Sequence, residues 1–186
     1  MPGGGGSSSC VIEISGGVTR VNADGDGVDS NGTIVMSGGE LYISGPTSSA
    51  DSAFDFETGA EITGGILVAA GASGMAENVT SATQGSALVS LNGSGKLTLK
   101  VESGNTLVEY EPEKSFQCVL ISCPGMEKGK TYTLSTPSSS VKIPLTDLIY
   151  GSGMGGGPGG NPGNPGGPGG PGGPGGPGGG FPGGRR

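Results

Sequence analysis

Three stretches decide the fold: residues 13–21 read EISGGVTRV, residues 34–43 read IVMSGGELYI, and residues 61–69 read EITGGILVA. Each centres on a glycine pair, Gly16-Gly17, Gly38-Gly39 and Gly64-Gly65, which recurs after 22 and then 26 residues. Two positions before each pair stands Ile14, Met36 or Ile62, and immediately before it Ser15, Ser37 or Thr63. The short apolar alternation on either side has the period of a strand, not of a helix. A glycine pair between two short strands marks a sharp bend, where one residue takes positive φ. One such unit cannot bury its own inner face, so the units must stack. Leucine-rich repeats have a similar period, but their Leu-x-x-Leu-x-Leu frame is absent. The expectation is therefore an all-β chain with a short parallel β-helix of about three coils over residues 10–94.

Outward from the repeat, residues 95–150 read as further strands: LTLKV, TLVEYE, FQCVLIS, TYTLS and VKIPL. A hairpin is expected with Gly104-Asn105 at its bend. FQCVLIS is the most apolar run and is expected to be a central strand. The block is read as a β-strand cap closing the C-terminal end of the solenoid. Residues 1–9 read as a flexible N-terminal segment. Residues 151–186 read as a disordered tail repeating Pro-Gly-Gly, because placing Gly at one of the two collagen positions other than the obligatory Gly weakens a triple helix. Met1 leads into PGGGGSSS without a basic segment or an apolar stretch, so no signal peptide is read. The chain is expected to be a fragment of a longer secreted protein, with further coils upstream or in another chain.

Composition excludes several classes. The net charge is −7, with nine Lys and Arg in 186 residues and no basic stripe, which argues against nucleic-acid binding. No apolar run reaches membrane-spanning length. The absence of His rules out a Cys–His metal site. Cys10, Cys118 and Cys123 read as small buried apolar residues, since no redox or zinc spacing joins them.

The acidic residues follow the repeat. Twelve positions after the second Gly of the first and third pairs fall Asp29 and Glu77; the middle unit is four residues longer, so Asp55 falls at sixteen. The local frames VDS, FDF and AEN then agree, and each sets its acid facing outward. Asp29, Asp55 and Glu77 are expected to form a column. Strands about 4.8 Å apart would set neighbouring carboxylates to repel by about 1 kcal/mol in water and about 3 kcal/mol at an effective dielectric of 20. A cation would relieve this. Asp24, Asp26 and Asp51 lie in adjacent loops, and residues 22–32 read NADGDGVDSNG. Hard oxygen donors with glycine-rich backbone suit calcium, and soft ligands are missing. The candidate metal ligands are Asp24, Asp26, Asp29, Asp51, Asp55 and Glu77. An EF-hand is ruled out, because its sixth position is Asp29 rather than Gly and its twelfth is Val35 rather than Glu. Plain turn building by Asp and Gly is the alternative.

Catalysis has a thinner basis. Arg20, four residues before Asp24, is the one Arg of the repeat and a candidate ligand contact. Glu40, Glu57 and Glu61 have no spacing that fixes a glycosidase pair. Tyr42, between Leu41 and Ile43, is expected to face outward and is the second candidate contact. Phe54 and Phe56 are expected in the core.

Residues 21–45, VNADGDGVDSNGTIVMSGGELYISG, and residues 52–75, SAFDFETGAEITGGILVAAGASGM, resemble the clostridial cell-surface carbohydrate-binding β-helix family. FQCVLISCPGMEKGKTYTL and the PGG-rich end are similar to the downstream part of that family's members. The resemblance implies a right-handed β-helix, bound calcium, and non-catalytic affinity for pectin-like polygalacturonate or for cellulose. It also implies secretion to an extracellular bacterial surface. The expected function is a calcium-dependent module binding an acidic polysaccharide. A structural or adhesive surface protein without a glycan ligand is the alternative from another class, and a calcium-dependent polysaccharide lyase a third.

Overall fold

A computed structural model of the chain describes residues 10–152. The expectations for residues 1–9, and for the tail from residue 153 onward, lie outside the described residues. The described chain is all-β. The strands are β1 (Val11–Asn22), β2 (Val28–Ser30), β3 (Thr33–Ser44), β4 (Phe54–Phe56), β5 (Gly59–Ile62), β6 (Ile66–Gly71) and β7 (Ser81–Ala82). Next along the chain are β8 (Ser86–Gly93), β9 (Leu97–Val101), β10 (Thr106–Tyr110), β11 (Phe116–Ser122), β12 (Thr131–Ser135), β13 (Ser140–Pro144) and β14 (Ile149–Tyr150).

The repeated glycine frames align in parallel. β1 pairs with β3 along its length, setting Ile14 beside Met36 and Arg20 beside Tyr42. β3 then pairs with β5 before its bend, setting Met36 beside Ile62, and with β6 after it, setting Leu41 beside Leu67. The bends stack so closely that only glycine fits. Gly39 has φ +79°, and a Cβ there would lie 2.7 Å from the backbone of Gly16; Gly65 meets Gly39 O at 2.6 Å in the same way.

The architecture as a whole is not the expected parallel β-helix with a terminal cap. The eight-stranded sheet runs β14-β8-β11-β6-β3-β5-β7 with β1 on β3, and it is mixed. β11 is antiparallel to both of its neighbours, β6 and β8. The segment expected to cap the structure thus supplies an interior strand, and the sheets form a nearly closed mixed barrel beside an antiparallel sheet. That second sheet has the order β10-β9-β12-β13. The reason lies in burial. FQCVLIS is apolar on both faces, so it is stabilised most between two covered layers, and a strand buried on both faces reads as a continuous apolar run. The hairpin of β9 and β10 forms, with Gly104 at φ +91°.

Period-two alternation divides the core in two. Ile34, Met36, Leu41, Ile43, Ile62 and Leu67 fill one cluster, which Cys118, Leu88 and Leu120 complete. The opposite face of the same sheet sends Tyr42, Val68, Val89, Val119 and Ile121 against Leu97, Leu99, Tyr110, Tyr132 and Leu134 of the antiparallel sheet. Leu41, Leu67 and Leu99 are fully buried, and each such side chain contributes about 1.5–3 kcal/mol relative to exposure.

Candidate functional site

The acidic residues gather beside the short parallel pair of β2 and β4. Val28, Asp29 and Ser30 lie opposite Phe54, Asp55 and Phe56. Val28 and the two phenylalanines turn toward the core, with Phe54 and Phe56 edge to face at 6.1 Å. Alternation then points Asp29 and Asp55 away from the core on one face. This pair is held by its neighbours: Gly27 N–H donates to Ser52 O at 3.0 Å, and Val28 N–H to Ala53 O at 3.2 Å. The Asp26 carboxylate accepts from Ser52 N–H at 2.8 Å, tying the 22–27 turn to the next repeat.

The electrostatics are those of uncompensated like charge. Partial burial, followed by the carboxylates of Asp26 and Asp29, raises the Asp55 pKa above the ordinary carboxylate value. Partial burial and then Asp55 raise that of Glu77 in turn. Among the described residues, no Lys or Arg forms an ion pair with Asp26, Asp29, Asp51, Asp55 or Glu77. Burial of unbalanced carboxylates costs stability at neutral pH, so the arrangement favours whatever brings positive charge to it.

Not every expected ligand joins this group. Asp24 stands apart, its carboxylate 3.1 Å from Lys114 Nζ, which also donates to Ala23 O. The Lys114 and Glu113 amides both donate to Ser44 Oγ, at 3.2 and 3.1 Å, which fixes the approach of that lysine. Asp51 is half-buried in the loop before β4 and takes part in no ion pair among the described residues. Glu77 lies outside any strand, so the AEN frame does not extend the two-stranded sheet, though it is near enough to Asp55 to be charge-coupled. Among the described residues, no three or more Cys, Asp or Glu side chains converge on a point that would hold a metal unaided. The hard oxygen donors suit calcium in kind. In number they fall short of the six to eight oxygens that such an ion takes.

The expected contact residues are also relocated. Tyr42 does point away from Leu41 and Ile43, but that side is covered by the antiparallel sheet. It is 7% exposed, its ring is 5.1 Å from that of Tyr110, and its hydroxyl donates to Glu40 at 2.9 Å. Arg20 lies over the Tyr42 ring at 4.8 Å, a cation–π contact. It forms no ion pair with the acidic group among the described residues. Cys10 is exposed, contrary to expectation, while Cys118 and Cys123 are buried and all three are free thiols. Lys114 is not legible as a site residue in the sequence, because its partner Asp24 lies 90 residues away and no spacing signals it.

Glu77 also borders an open depression with Glu57, Asn78 and Thr80, giving the acidic face a polar extension. Among the described residues no helix is long and apolar enough to cross a membrane. No family model, curated protein or solved structure matches the chain.

Proposed function

We propose that this chain is a non-catalytic module that binds an acidic polysaccharide, such as polygalacturonate, through calcium carried on the Asp26, Asp29, Asp55 and Glu77 face. The supporting observation is the register pair of Asp29 and Asp55, raised in pKa at Asp55 and without a basic partner among the described residues. Calcium takes six to eight oxygens. Asp29 and Asp55 would hold the ion, Asp26 and Glu77 would add charge around it, and the carboxylates of the polysaccharide would complete the shell. An ion held by an incomplete protein set is well suited to such bridging. The polar depression beside Glu77 offers hydroxyl contacts to neighbouring sugar units. An extracellular bacterial setting rests on the family resemblance.

The test is retention on polygalacturonate, with calcium and then with chelator. Retention in calcium that is lost in chelator supports the reading. Equal behaviour in both contradicts it, and retention on no glycan favours an adhesive or structural role. Release of unsaturated, ultraviolet-absorbing products would instead identify a lyase.

A further inference from the structure

Among the described residues, the strand β1 (Val11–Asn22) is paired on one side alone, with β3, which leaves an edge of twelve residues. Natural edge strands are normally short, charged or covered, because unpaired N–H and C=O groups invite another strand. This one is long, and Val11 and Val18 are 58% and 61% exposed. Its bend is also open. The positions equivalent to Gly16 and Gly17 in the next two repeats each lie against backbone of the preceding repeat, whereas a Cβ placed on Gly16 or Gly17 would meet nothing within 4 Å among the described residues, although Gly17 has a similar φ of +76°.

We infer that β1 is the isologous interface of a homodimer, pairing antiparallel with β1 of a second copy about a twofold axis between Gly16 and Gly17. The sequence of β1 is self-complementary about that point. Placing Gly16 opposite Gly17 of the second copy sets Ile14 opposite Thr19, Ile12 opposite Val21, and Glu13 opposite Arg20. Ile12, Ile14 and Val21 are half-buried and pack on the inner cluster, so each copy would extend the other's core. Thr19 shares that side, since its partner Leu41 is a core residue. Glu13 and Arg20 take the other side, and neither forms an ion pair within the described chain. Directly opposed residues of an antiparallel pair have Cβ atoms about 4.5–5.5 Å apart, close enough for each Glu13 to meet one Arg20. A twofold axis makes this contact twice. A strand bent at its midpoint coincides with its twofold copy along the bend's bisector, so the bend does not prevent pairing.

Sedimentation equilibrium of the full chain tests this. The wild type is expected to dimerise. Glu13→Arg and Arg20→Glu should each weaken the dimer by about tenfold or more, since each turns two attractive pairs into repulsive ones. The double variant E13R/R20E should recover the wild-type constant. An equimolar mixture of the two single variants should form a heterodimer tighter than either homodimer, because both of its contacts are then Glu with Arg. Circular dichroism should show both single variants folded, as both positions are exposed. A wild type that stays monomeric, a dimer indifferent to either reversal, a double variant as weak as the single ones, or open-ended growth with concentration would each overturn the inference.

Discussion

Replacing Asp55 with Asn should stabilise the protein at neutral pH in chelator. Asp29 and Asp55 are partners on adjacent strands, which lie about 4.8 Å apart. Full unit charges at that separation repel by about 1 kcal/mol in water and about 3 kcal/mol at an effective dielectric of 20. Asp29 is exposed and Asp55 only half-buried, so solvent screening selects the lower figure. About 1 kcal/mol corresponds to a rise in Tm of about 3 °C for a domain of this size. Burial, with Asp26 and Asp29, raises the folded-state pKa of Asp55. For an acid shifted this way, the folded state holds its proton more tightly than the unfolded state. Stability is then greatest below the ordinary carboxylate value and falls as pH climbs through the raised one. The advantage of D55N should therefore be present at neutral pH and disappear once acidification protonates Asp55 in both states. In calcium the ranking should invert: an ion at a hundredfold excess over its Kd stabilises the wild type by about 2.7 kcal/mol, and D55N forfeits much of that. Thermal melting across pH, with calcium or chelator, reads all of this. A D55N variant that melts lower than wild type in chelator at neutral pH would refute the reasoning.

The glycine bends, the buried hydroxyls and the thiols give further expected outcomes. Gly39→Ala should cost about 2 kcal/mol or more, combining a left-handed backbone with a Cβ 2.7 Å from Gly16. Gly17→Ala, with similar φ and open space around it within one chain, should cost only about 1–2 kcal/mol in the monomer, a contrast that denaturant melts at low protein concentration resolve. Tyr132→Phe should cost about 1–3 kcal/mol, because the Tyr132 hydroxyl donates to Gly125 O at 2.8 Å and accepts from Glu127 N–H at 2.6 Å in a buried site. Burial pushes the Cys118 and Cys123 thiols up to about 11 and about 12, so a thiol reagent at mildly alkaline pH should modify Cys10 alone in the native protein. All three should react in denaturant.

Where information is local, the sequence is readable. The shared frame around each glycine pair specifies parallel alignment of Ile14, Met36 and Ile62, and the shared frames VDS and FDF specify the pairing of Asp29 with Asp55. The direction of β11 is not readable, because an apolar run such as FQCVLIS fits between either parallel or antiparallel neighbours. That single strand changes a stacked parallel repeat into a mixed sheet. Tyr42 shows the same limit. Its alternation against Leu41 and Ile43 is legible, but the sheet that covers it comes from Tyr110 and its neighbours, far along the chain. Proximity in sequence groups Asp24 with the other acids, whereas the lysine that neutralises it approaches from residue 114.

Calorimetric titration of calcium into the wild type and into a D29N/D55N variant bears most directly on the acidic face. The wild type should bind calcium saturably, and the double variant should lose that binding while remaining folded. Absence of calcium binding by the wild type, or equal binding by both proteins, would contradict a cation-bridged polysaccharide site at Asp29 and Asp55.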